Sequence, residues 1–281
     1  MIDHGRQHTV ARSACLSGIT LHTGSRVGLT VRPAPVDSGI VFCRTDLPEQ
    51  PRVAACLANV VETRRATTIA DGSAVVYTVE HLLAVLYAFG IDNVLVEMSG
   101  PEPPIGDGSA TPFVELLDEA GAVEQDGSRK GLRIETPVCY EKGESCLVFL
   151  PGEGYRISCT VKYNCTPLDC QYLSLPVGRE TFLAEIAAAR TFCSYPEIEG
   201  LINANLICGG SLDNAIVIKD GVILSKEGLR FPDEFVRHKI LDAIGDFSLL
   251  GARLQGRLLA VKPGHEANIE LARLLSDNCN Q

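Results

Sequence analysis

An imidazole and carboxylates set one helical turn apart can hold a divalent cation, and residues 233–251, DEFVRHKILDAIGDFSLLG, carry such a set. His238, Asp242 and Asp246 advance by four, a drift of about 40° per step on a helix, so they share one face. A solvated polar face is the plain alternative. Such faces are normally rich in Lys and Glu, whereas this one offers one imidazole and two short carboxylates with Lys239 beside them. A second histidine, His81, stands in TVEH next to Glu80. If His81 joins His238 and Asp242, the set is two nitrogens and one carboxylate oxygen. A tetrahedral zinc then keeps a fourth position open, as a catalytic site does. Glu80 would be placed either to take a proton from water or to orient the ligand beside it. His265 follows Pro263 and Gly264, and Asp246 can set its tautomer and favour its imidazolium.

These residues need elements to bring them together. Pro232 and Asp233 predict a helix start and Gly251 its end, with Val236, Ile240, Ala243, Ile244 and Phe247 as the buried stripe. A second helix is predicted from Thr78, its cap, to Gly90, with Val79, Leu82, Leu83 and Leu86 in the core. Its other side (Ala84, Val85, Ala88) is also apolar, so protein should cover both faces and leave Glu80 and His81 in a crevice. Antiparallel strands are expected over 15–44, a strand at IDNVLVEM, and a short helix ending at Gly121. The polar run EQDGSRKG, 124–131, reads as a linker. Beyond it come strands in LRIETPVCYEK, SCLVFLPG and YRISCTVKY, a helix over 179–189 and a strand in GGSLDNAIVIKDG. A strand LLAVK, the loop PGHEAN and a last helix to about Ser276 complete the chain.

The two halves echo each other. VEH at Val79 parallels VRH at Val236, ETRRATTI parallels AAARTFC, and LTVRPAP parallels LVFLPGE, in the same order. Duplicated halves packed pseudo-symmetrically would set the two helices face to face and carry His81 to His238 and Asp242.

The 281 residues allow one large or two ordinary domains, and 46% hydrophobic with 21% charged residues reads as a globular chain. A net charge of −10 argues against nucleic acid or an anionic membrane surface as the main partner. No signal peptide or apolar run of about 18 residues is apparent, which predicts a cytoplasmic protein. The eleven cysteines show no C-x-x-C pair; they read as small buried hydrophobes in a reducing compartment, without a metal role.

Nearly the whole chain resembles the UDP-3-O-acyl-N-acetylglucosamine deacetylases of lipid A synthesis in Gram-negative bacteria. The resemblance runs through SGITLHTG (17–24), LTVRPAP, RATTI, TVEHLLA (78–84), GIDN (90–93), PIGDGSA (104–110), ARTF (189–192), GGSLDNAIV (209–217), LRFPDEFVRHKILDAIGD (229–246) and Gly264-His265. It departs at Thr20 and Cys193, where the family usually has glycine. It implies an α+β fold of two similar domains, about 1–125 and 126–281, each a sheet layer against a helix layer. The helices pack together at the domain interface, and a βαβ insert near 194–220 forms an acyl passage. It also implies zinc, with ferrous iron possible in the cell, on His81, His238 and Asp242. Glu80 would be the base, His265 held by Asp246 the acid or electrostatic partner, Thr191 the oxyanion donor, and Phe192 and Lys239 sugar-site residues. Lys239 and Lys142 are candidates for the diphosphate. The expected reaction is hydrolysis of the N-acetyl amide of an acylated UDP-sugar by a monomer, with His265 or Glu80 protonating the leaving amine. Two rival readings are a catalytically silent acyl-sugar-binding or regulatory homologue and a hydro-lyase, for whose fused domain the chain is too short.

Overall fold

The computed structural model describes residues 5–163, 170–204 and 206–279. Its two large sheets share one strand order. The first runs Ala14–Ile19, Arg26–Pro33, Val94–Met98, Ile40–Arg44, Arg52–Ala54. The second runs Val138–Lys142, Ser145–Leu150, Arg253–Val261, Tyr155–Lys162, Cys170–Pro176, with Gly131–Arg133 added parallel to Arg253–Val261. In each, the last strand in sequence enters the middle, antiparallel to the second strand and parallel to the third. The LTVRP and LVFLP segments fall on the corresponding second strands, so the echo in sequence is a repeat in topology.

Each central strand is preceded and followed by a helix. In the first half these are α1 (Glu80–Phe89) and α2 (Thr111–Ala120). In the second, a short α3 (Arg179–Thr181) and α4 (Tyr195–Asn203) come before the equivalent pair, α5 (Glu234–Ser248) and α6 (His265–Cys279). Period-two burial builds the sheets: Val27, Leu29 and Val31 alternate inward on one, and Tyr155, Ile157, Cys159 and Val161 on the other. A continuous apolar core joins both sheets to α1 and α5. The architecture is α+β, two similar sheet-and-helix units with α1 packed on α5.

Additions fall at the same place in each half, between the fourth strand and the main helix. The first half has a meander of Val60–Glu62, Thr68–Asp71 and Ala74–Val76. The second has the expected βαβ unit: Phe192–Ser194, then α4, then Ile216–Lys219 parallel to the first strand, followed by antiparallel Val222–Leu224. Ser194 and Glu197 start α4 as a reciprocal capping box.

Several local expectations are corrected. Thr78 does not cap α1; it sits at φ 53° and gives its hydroxyl to Glu102, while Val79 is the cap position. Asp233 adopts the cap position of α5 but accepts from Arg237 Nε rather than from the helix backbone. The run 124–131 is not a free linker, because Ala122–Ser128 pairs antiparallel with Arg6–Val10, and that pairing satisfies its backbone. The helix expected over 179–189 is shorter, one α turn followed by a π stretch, Phe182–Ile186. His265 opens α6 instead of lying in a loop. The cysteines divide: Cys43 and Cys159 are buried, but Cys15, Cys139, Cys170 and Cys208 are exposed.

Candidate active site

Two close-packed helices build the site. A Cβ on Gly245 of α5 would lie 2.1 Å from the Glu80 carbonyl oxygen of α1, so only glycine lets the backbones approach this far. That contact puts the first turn of α1, with Glu80 and His81, against the middle of α5. Gly90, at φ 75°, ends α1 in the left-handed conformation that closes helices. The face of α5 that carries His238, Asp242 and Asp246 is therefore buried like its apolar stripe. Short polar side chains stand there because they meet one another across the interface, not water.

His81 Nε2 lies 3.7 Å from Asp242 Oδ1, and His238 Nε2 lies 3.5 Å from the same oxygen. Two ligands about 2.0–2.1 Å from a tetrahedral zinc stand about 3.4 Å apart, so these three residues fit a divalent cation. His238 Nδ1–H donates to the Ala189 carbonyl at 3.1 Å, which leaves Nε2 bare toward Asp242. His81 has no such brace: its Nδ1 is buried with no protein partner, so packing alone orients it. Asp242 spends its other oxygen on Lys239 Nζ at 2.7 Å.

The charges suit a cation. Burial, then the neighbouring His238, lowers His81 to about 3, and burial also lowers His238; both imidazoles keep a lone pair at neutral pH. Burial alone would raise Asp242, but Lys239 and the histidines outweigh it and hold the carboxyl well below its usual range. The donor set is two neutral nitrogens and one anion, which suits zinc and also ferrous iron.

Beside this set stand a carboxylate and an imidazole of opposite tendency. Glu80 is pushed up to about 8 by burial, an effect that His265 opposes and that Asp246 and Asp242 reinforce. Desolvation outweighs the opposing charge of His265 at Glu80. Burial would lower His265, but Asp246 and Glu80 overcome it and raise the imidazole to about 9. His265 Nδ1 meets Asp246 Oδ2 at 3.0 Å, and its Nε2 lies 3.9 Å from Glu80 Oε1 and 4.0 Å from Asp242 Oδ2. An acid and a base thus flank the same small volume next to the three donors.

The cleft here has a volume of about 280 Å³, and its wall includes Glu80, His81, Thr191, Phe192, His238, Lys239, Asp242 and His265. These are eight of the ten site residues expected from the sequence, the other two being Asp246 and Lys142. Asp246 lies behind His265 and is fully buried. Phe192 and Lys239 are neighbours, with Lys239 Nζ 5.5 Å from the ring centre. Lys142 is exposed and pairs with Glu266 at the rim.

Three positions went unread. Thr67 gives its backbone N–H to Glu80 Oε2 at 3.1 Å and its hydroxyl to Asp246 Oδ1 at 2.5 Å, tying base and acid pair together. Asn268 donates to Asp246 Oδ2 at 2.8 Å. His22 lines the cleft with its backbone N–H on Glu102. The signal for Thr67 and His22 was that they stand inside RATTI and SGITLHTG, polar residues in apolar surroundings. Asn268 offered none.

The chain matches the model of the family described as UDP-3-O-acyl N-acetylglycosamine deacetylase over residues 7–277. It is 46% identical over 265 residues to the UDP-3-O-acyl-N-acetylglucosamine deacetylase of Citrifermentans bemidjiense, covering 94% of this chain and 87% of that one. It is 44% identical over 272 residues to the enzyme of that name from Marinobacter nauticus, covering 96% and 90%, and 46% identical over 272 residues to that from Myxococcus xanthus, covering 96% and 87%. The fold, the buried His–His–Asp set and this likeness along the chain agree: it belongs to the UDP-3-O-acyl N-acetylglycosamine deacetylase family.

Proposed function

We propose that this protein hydrolyses the N-acetyl group of UDP-3-O-acyl-N-acetylglucosamine, giving acetate and UDP-3-O-acyl-glucosamine for lipid A synthesis. The observation that carries the reading is Glu80 and His265 facing each other across 3.9 Å beside His81, His238 and Asp242. Those three residues would hold one zinc ion, which when bound supplies Lewis acidity to the amide carbonyl and to the attacking water. Glu80, fixed by the Thr67 N–H, accepts the proton of that water. His265, held as imidazolium by Asp246, stabilises the developing negative charge and gives a proton to the departing amine. Thr191, Lys239 and Phe192 line the cleft, and in this reading Thr191 donates to the oxyanion while Lys239 and Phe192 seat the sugar.

The division of labour follows the repeat, with a boundary near residue 125. The first domain supplies Glu80 and His81, and the second supplies Thr191, His238, Asp242, Asp246 and His265. The acyl chain would run along the insert, with Leu201 facing inward at 7% exposure; Ile202, at 59%, points to solvent. Both halves of the site lie on one chain, which supports a monomer. No described helix is long and apolar enough to cross a membrane, and exposed free thiols suit a reducing cytoplasm.

Purified UDP-3-O-acyl-N-acetylglucosamine tests the reading directly. The wild type should release acetate, and Glu80→Gln should keep its metal while losing about 10²–10⁴-fold in kcat. A wild type that binds the substrate but releases no acetate would leave a silent acyl-sugar binder instead.

A further inference from the structure

The separations that fit the His–His–Asp set to a cation pick out one more group of three donors among the described residues: Cys139, Glu141 and Cys146. They stand on the hairpin of Val138–Lys142 and Ser145–Leu150, the outermost pair of the second sheet. Val138 and Tyr140 turn inward, so Cys139 and Glu141 share the outer face, and the register sets Cys146 directly across from Glu141. Cys146 Sγ lies 3.3 Å and Cys139 Sγ 3.9 Å from the same oxygen, Glu141 Oε1. With metal–sulfur and metal–oxygen bonds of about 2.3 and 2.0–2.2 Å, sulfur and oxygen on a tetrahedral zinc stand about 3.6 Å apart, midway between those two values. The tight turn between the strands holds this spacing, so little ordering remains for a ligand to impose. The three side chains are not part of the core, and they are separate from the catalytic cleft.

We propose that Cys139, Glu141 and Cys146 form a second metal site on this protein, one that takes a single thiophilic divalent cation, with water completing the shell. Binding replaces two S–H bonds by two metal–sulfur bonds and releases two protons to solvent; no electron changes hands. The donor set separates the two sites. Two thiolates select soft ions such as zinc or cadmium, whereas the cleft has no sulfur donor.

Cadmium titration of reduced, metal-stripped protein tests this, because only thiolate ligands give a sulfur-to-cadmium charge-transfer absorption. The expected result is a band that saturates by two equivalents, one of which the cleft takes without a sulfur band; it is absent from the Cys139→Ser/Cys146→Ser variant and weakened at least tenfold in apparent affinity in Glu141→Gln. With zinc returned to the catalytic cleft, acetate release should be the same for all three proteins. No band in the wild type, or an undiminished band in the double variant, overturns the proposal. All three side chains are on the sheet's outer face, and Glu141→Gln keeps both thiols, so a folding defect in the double variant would not hide the outcome.

Discussion

His265 and Glu80 are the residues whose titration should shape the rate. The proposed mechanism needs Glu80 ionised and His265 protonated. His265 is raised to about 9, so turnover should fall as pH rises through about 9. Replacing Asp246 with Asn removes the carboxylate that most raises His265, and the falling limb should move down in pH. Measuring kcat/KM against pH for both proteins checks it; an unmoved basic limb in Asp246→Asn contradicts the assignment. Stability carries the same sign. Folding holds the His265 proton more tightly than the unfolded chain does, so this group stabilises the fold below its unfolded value of about 6.5. That contribution is lost as pH rises through about 9. The grouping of these side chains was legible from residue types, because His–x–x–x–Asp on one helix and Glu beside His have few other uses together. The pKa of Glu80 was not, since it depends on burial, and sequence does not show how deep a crevice is.

At the scale of elements, the contact between α1 and α5 carries the site. Gly245→Ala would drive a methyl into the Glu80 carbonyl, and neither backbone can yield without moving Glu80 or Asp242. The expected cost is about 1–3 kcal/mol of stability, typical of overpacking, with a large fall in kcat because Glu80 and Asp242 shift together. Urea denaturation and kcat measured on one preparation check it; full activity in Gly245→Ala would mean the helices tolerate separation. The helices themselves were readable from apolar spacing and from Gly90. The start of α5 at Asp233 was readable too, although its carboxylate pairs with Arg237 and not with the helix backbone; the start of α1 was not, because Thr78 bonds Glu102, 24 residues on, and local cap rules do not see that partner. The strand at 122–128 was hidden for a similar reason: its polar, glycine-containing sequence pairs with the N-terminal strand more than a hundred residues away. In the insert, Leu201→Asp should weaken a long-chain substrate far more than a short-chain analogue, measured as the ratio of kcat/KM values. Equal losses would remove the acyl chain from α4.

For the whole molecule, the repeat explains why the site exists where it does. Two units with one strand order place their equivalent helices together, and the histidines at matching positions, His81 and His238, meet with ring centres 5.0 Å apart. Neither half alone supplies the group of three donors: the first gives His81, and the second gives His238 and Asp242. Weak sequence echoes pointed to this duplication, and periodicity supplied the elements. The layer order came from the family resemblance, because apolar alternation tells which face of a strand is covered but not by what. The central claim is that these three residues hold a metal that N-deacetylation requires. The direct measurement is acetate released from UDP-3-O-acyl-N-acetylglucosamine by metal-stripped protein before and after zinc is returned. Wild type should be silent when stripped and recover on zinc addition, while His238→Ala stays silent at the same zinc concentration. Acetate release by the stripped wild type, or full recovery of His238→Ala, would contradict the account.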